Sequence, residues 1–170
     1  WELTYVPQRV YRTAVGGAHV LRSVKALEVG WNPRVVGEYL LVASRAGLDL
    51  PVIRGLAEKC EEEDIDSAAY AAVGGHTDVL DLLASEFGAR IGVNRLVRAA
   101  SWGHDAMIDH LVEEYGMDPN GADRLGCTAL HEAADRGRVR TVKHLVKKYN
   151  VDINKRDWRW KTALDVAEEK

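Results

Sequence analysis

A set of landmarks recurs along this chain at near-constant spacing, and that recurrence restricts the fold more than any other feature. The segment from Thr128 carries Leu130, Ala133, Ala134, Gly137, Val142, Leu145 and Val146. Stepping back 34 residues reaches Leu96, Ala99, Ala100, Gly103, Ile108, Leu111 and Val112, all apolar or glycine again. Asp118 and Asn120 match Asp152 and Asn154 at the same offset. A further step of 28 gives Ala68, Ala71, Ala72, Gly75, Leu80, Leu83 and Ala84, and another 28 a looser copy from Leu40 through Gly47 to Leu56. "AVGGAHVLRSVKALEVG", from Ala14 to Gly30, is an earlier copy of "AVGGHTDVLDLLASEFG", from Ala72 to Gly88, with its apolar positions displaced by one. "TALDVA" at Thr162 opens a last, truncated copy. Self-similarity at this period is the mark of a stacked repeat array.

Each unit reads as two helices. The first is short and alanine-rich, a composition that favours helix and lets neighbours approach closely. It ends at a glycine, for which a left-handed backbone costs little. The second carries apolar residues at helical spacing, as at Val139, Val142, Leu145 and Val146. Neither helix buries its apolar face alone; stacking successive units does.

These residues match a known pattern. Thr128-Ala129-Leu130-His131, then Ala133, Ala134 and Gly137, and after the second helix Asp152-Ile153-Asn154, resemble the ankyrin repeat, which usually has proline where Ala129 stands. Gly103-His104 keeps the family's Gly-His pair, and Thr162-Ala163-Leu164 keeps three of its four tetrapeptide positions. The resemblance is strong from about Asp64 to Ala167. It implies an all-α solenoid of stacked helix-turn-helix units, with short β-hairpin fingers mainly in the C-terminal half. There the longer period leaves room at 115–127 and 149–161, whereas 88–93 is short enough for only a tight turn. The expected layout is a single domain over 1–170. Residues 1–10 form an N-terminal cap; repeats cover about 11–35, 36–63, 64–92, 93–122 and 123–156; a truncated repeat covers 157–170.

Composition adds boundaries. The chain is 46% hydrophobic and 29% charged, enough for a core and a solvated surface. Its net charge of −3 favours no class of partner, but acidic residues dominate from Glu61 to Asp118 and basic ones from Arg136 onward. Cys60 and Cys127 are distant and lack CxxC spacing, which fits a reducing, intracellular compartment such as cytoplasm or nucleus. No run is apolar enough to span a bilayer, and no membrane association is expected. The chain is expected to be monomeric on its own.

In "HDAMIDH", His104 and His110 stand six apart and point about 120° away from each other on a helix, so they do not close on one metal ion. The resemblance makes His104 a structural residue at the start of a second helix, with His110 on the surface. It also gives Thr128 and His131 a local hydrogen-bonding role, and no acid is identifiable to orient His131 as a base for Thr128 or Cys127. The acidic run Glu61 to Asp64 reads as a solvated loop or a first-turn cluster, with Asp66 or Ser67 as helix N-cap. No enzyme, metal site or cofactor is expected.

The expected function is a non-catalytic module that binds a protein or peptide. "KRDWRWK", Lys155 to Lys161, falls on the last finger, with Trp160 at the position matched by Gly126. Trp and Arg are enriched at binding hot spots. In a second reading Trp158 and Trp160 cover the end of the stack. The family's concave face, carried over position by position, comprises Arg45 and Ala46, Val73 and Gly74, Ser101 and Trp102, Arg124, Leu125 and Cys127, Asp135 and Arg136, and Trp158, Arg159 and Lys161. Trp102, Trp158 and Trp160 would be apolar anchors, with Arg124, Arg136 and Arg159 setting polar register. Two alternatives stay open: binding of nucleic acid or nucleotide by the basic, Trp-bearing C-terminal half, and a regulatory segment of a larger protein.

Overall fold

The computed structural model describes residues 33–169. The opening phrase at 14–30, the proposed cap at 1–10 and most of the first expected repeat lie outside the described residues. Nine helices follow one another within them: α1 (Pro33–Ala46), α2 (Leu50–Ala57), α3 (Glu62–Ala72), α4 (Thr77–Phe87), α5 (Val93–Trp102), α6 (Asp105–Glu113), α7 (Ala129–Asp135), α8 (Val139–Tyr149) and α9 (Ala163–Glu168). They form antiparallel pairs, α1/α2 to α7/α8, each pair stacked on the next, with α9 opening a further pair.

Local chemistry sets the helix ends. α3 starts at Glu62 because Glu62, Glu63 and Asp64 fill its first turn, where negative charge meets the positive end of the helix dipole. Its N-cap is Glu61, so the expected N-cap at Asp66 or Ser67 is corrected: both lie inside the helix, and Asp66 has another role. α7 and α9 start with capping boxes. The Thr128 hydroxyl accepts from the His131 N–H, and the Thr162 hydroxyl from the Asp165 N–H.

The landmark glycines stop the first helices as anticipated. Gly47, Gly75, Gly103 and Gly137 have φ of 61°, 123°, 81° and 63°. The stacking also needs the first of them bare: a Cβ on Gly47 would lie 2.1 Å from the His76 ring. That ring reaches the Arg45 carbonyl of the preceding pair at 3.1 Å. Arg138 takes the corresponding place one period after His104 and donates to the Ser101 carbonyl at 3.0 Å. Carbonyls left open where a helix ends are thereby satisfied by the next pair.

The core is one continuous apolar seam running from Val36 and Leu40 to Leu145 and Ala163. Where buried alanines face each other, helices approach closely: α1 with α3, α5 with α7, and α7 with α9. The α3–α5 joint does not share that close approach. Tyr70, Arg98 and Trp102 fill it, together with Arg95, which is 8% exposed.

The second helices are latched by a repeated polar network. Asp81 Oδ1 accepts from His110 Nε2 and from the Tyr115 hydroxyl, both at 2.7 Å. One unit later, Asp109 Oδ1 accepts from His144 Nε2 and the Tyr149 hydroxyl, both at 2.6 Å. Lys148 adds an ion pair to Asp109 at 2.9 Å. His110 is thus half-buried and bonded across an interface, which corrects its expected place on the surface.

The fingers take the form of turns. Among the described residues there is no strand, only one antiparallel bridge between Ala122 and Thr128. Two turns repeat the same wiring. Asp123 N–H donates to the Cys127 carbonyl, and Asp123 Oδ1 accepts from Leu125 and Cys127 N–H at 2.8 and 2.9 Å. Asp157 N–H donates to the Lys161 carbonyl, and Asp157 Oδ1 accepts from Arg159 and Lys161 N–H at 2.8 and 3.0 Å. A buried aspartate closing its own turn takes up the N–H groups that a hairpin ladder would otherwise pair.

Candidate binding groove

The first helices and the 123–125 turn enclose a groove of about 450 Å³. α3 contributes Tyr70; α5 contributes Asn94, Val97, Arg98 and Ser101; the turn contributes Asp123, Arg124 and Leu125; α7 contributes Glu132 and Arg136. Its chemistry is mixed. The Asp123 carboxylate is occupied by its own turn, and Glu132 lies 3.7 Å from Arg136. Leu125, 56% exposed, supplies an apolar rim.

Arg98 is the organising residue, and concave-face reasoning passed it over. Its guanidinium lies 4.2 Å from the Trp102 ring centroid and 5.2 Å from that of Tyr70, within reach of cation–π attraction. The signal was in the sequence: Arg98 and Trp102 are one helical turn apart, hence neighbours on one face. Trp102 is accordingly half-buried, with Arg98 over it; its Cζ3 would meet a Cβ on Gly74 at 3.4 Å. The indole is covered by a residue of its own helix.

Other sequence-derived positions divide into three groups. Arg124, Leu125, Arg136 and Ser101 line the groove, although Ser101 is buried and its hydroxyl donates to the Arg98 carbonyl. Asp135 is half-buried beside Arg136 at 3.5 Å. Arg45 and Ala46 are exposed at the end of α1, whereas Val73 is fully buried and offers no surface. On the last turn, Trp158 and Trp160 are 65% and 76% exposed, Arg159 pairs with Asp157 at 3.1 Å, and Lys161 pairs with Glu169.

That last turn carries local strain. Trp160 has φ of 63°, the left-handed conformation that Gly126 adopts at 70° in the equivalent turn. A side chain there costs roughly 1–2 kcal/mol. The two turns are joined by the Trp158 N–H donating to the Leu125 carbonyl at 2.9 Å. Neither tryptophan lines the apolar hollow of about 420 Å³ at the end of the stack, where Val139, Val142, Leu164 and Ala167 stand open.

The remaining reactive groups have structural partners. His131 Nε2 donates to the Lys161 carbonyl at 3.0 Å, which leaves Nδ1 to accept from the Thr128 hydroxyl at 2.8 Å. Burial, reinforced by Asp123, pushes the Cys127 thiol up to about 11, so it stays protonated at neutral pH. Burial also leads the lowering of the His104 pKa, and its ring stands edge-on to Trp102 at 6.1 Å.

Residues 69–157 match the family model for ankyrin repeats in three copies, a span of just over half the chain. The chain belongs to the ankyrin-repeat family. Members of this family are generally protein–protein interaction modules and typically non-catalytic. No curated protein matches the chain. Among the described residues, no helix of this ankyrin-repeat protein is long and apolar enough to cross a membrane.

Proposed function

We propose that this ankyrin-repeat chain is a non-catalytic adaptor that grips a protein or peptide in the groove along α3, α5 and α7. The adjoining turns complete the grip. The observation that carries this reading is the alignment of exposed apolar groups beside a polar groove: Leu125 on one turn, and Trp158 and Trp160 on the next. Apolar anchors at the edge of a half-polar trough are what a protein partner can desolvate.

Nucleic acid fits less well. Several cations of the C-terminal half are already paired: Arg140 with Asp105, Lys148 with Asp109 and Glu113, Arg159 with Asp157, Lys161 with Glu169. A cation already paired has less to offer a phosphate backbone.

The test is affinity capture from lysate with the wild-type chain beside Leu125→Ala/Trp158→Ala. Both side chains are exposed, so the fold stands. A partner held by the wild type should be weakened about tenfold or more, the scale of a lost hot spot. Retention at wild-type affinity overturns the reading.

A further inference from the structure

Arg98 differs from Arg95 and Arg136 in having no acid beside it. Arg95 lies 4.0 Å from Asp66, and Arg136 lies beside Glu132 and Asp135. Arg98 forms no ion pair among the described residues, and its buried Nε has no hydrogen-bond partner. Arg98 lines the groove, and its guanidinium makes no hydrogen bond to a protein acceptor among the described residues. Arg124, exposed on the turn opposite, is likewise without an ion pair. The groove's own acids do not compensate, since Asp123 is taken up by the turn and Glu132 stands by Arg136. Two free guanidinium groups therefore face one trough.

We infer that the groove selects partners that present an aspartate or glutamate side chain, received end-on by Arg98 and assisted by Arg124. The claim rests on the reading of the groove as the partner surface. The chemistry follows from geometry. Trp102 and Tyr70 both lie within cation–π reach of the guanidinium, which restrains it before a ligand arrives. A planar fork matches a carboxylate with two parallel hydrogen bonds, and a restrained fork gives up less rotamer freedom on binding. The aromatic contacts also keep water off the guanidinium, which strengthens its attraction to a carboxylate. Leu125 at the rim suits an apolar residue near the acidic one.

The experiment uses the full chain, immobilised, and soluble hexapeptide pools with a random background and one fixed central residue: Glu, Gln, phosphoserine or Lys. Wild type should retain the Glu pool about tenfold over the Gln pool, the scale of one charge-assisted hydrogen-bond pair. Arg98→Gln should reduce that preference to near unity. Arg98→Lys keeps the charge and loses the planar fork, so it should lose most of the preference as well. Thermal melts establish that each variant is folded; should Arg98→Gln not fold, Arg98→Lys carries the test. Equal retention of the Glu and Gln pools, or a preference that survives in the folded Arg98 variants, overturns the inference and leaves the groove reading in place. A phosphoserine pool retained tenfold above the Glu pool overturns it in favour of phosphate recognition. Retention of no peptide pool, with retention of a random single-stranded oligonucleotide instead, overturns both readings.

Discussion

Single residues carry much of this fold's individuality. Trp160 sits in a left-handed conformation that a glycine fills one unit earlier, and it exposes an indole at the tip of a turn. Trp160→Gly should therefore stabilise the chain by roughly 1 kcal/mol, the strain removed less the entropy that glycine returns to the unfolded chain. Urea unfolding of the two proteins checks this, and an unchanged or lower midpoint contradicts it. If Trp160 also anchors a partner, the same change weakens capture while raising stability. Gly47 makes the opposite case. Its φ of 61° and the 2.1 Å approach of His76 to a would-be Cβ leave no room for alanine. Gly47→Ala should cost roughly 2 kcal/mol or more and show as a lowered melting temperature. The sequence disclosed both sites, because a glycine recurring at one register has a backbone reason. For Arg98 it disclosed only half, the i, i+4 spacing to Trp102. A lone arginine on a helix looks like solvated surface until the rings on either side of it are placed, and Tyr70 comes from a different helix.

Helices are built from a pattern legible in the sequence and are joined by contacts that were not. Alanine-rich first helices, glycine stops and apolar second helices all follow from composition and period. The Asp81–His110–Tyr115 and Asp109–His144–Tyr149 latches do not, since each member reads as ordinary surface on its own segment. Asp66 misled for a related reason. It resembles an N-cap but lies inside α3, where it accepts from the Arg90 N–H and Nε at 2.8 and 2.7 Å in the loop after α4. The fingers were expected from the family resemblance and placed by spare length, and neither says whether an aspartate will close the turn by itself. At this scale Thr128→Ala should remove the α7 capping box and the bond to His131 together. A loss of about 1–2 kcal/mol in urea unfolding is expected; a loss below a few tenths contradicts the assigned cap.

For the molecule as a whole, bonded carboxylates hold the fold: Asp109 between units, Asp66 to the loop after α4, and Asp157 within the last turn. Burial pushes the Asp66, Asp109 and Asp157 carboxyls up, but hydrogen bonds and cations outweigh it and hold each below the usual aspartate value. A carboxyl whose folded value is depressed contributes stability above its unfolded value, about 3.9, and loses it as pH falls through the folded value. The melting temperature should therefore hold from neutral pH to about 5 and fall progressively below about 4. A flat profile down to pH 2 contradicts the claim that these acids help to hold the fold.

The most direct test of the central claim is site-specific photo-crosslinking of a captured partner. A benzophenone side chain is placed either at Asn94, on the groove rim, or at Lys147, exposed on α8 away from the groove. Crosslinks from position 94 and none from position 147 are the expected result. Crosslinking from 147 with none from 94 would place the partner on the wrong face and contradict the groove as the binding surface.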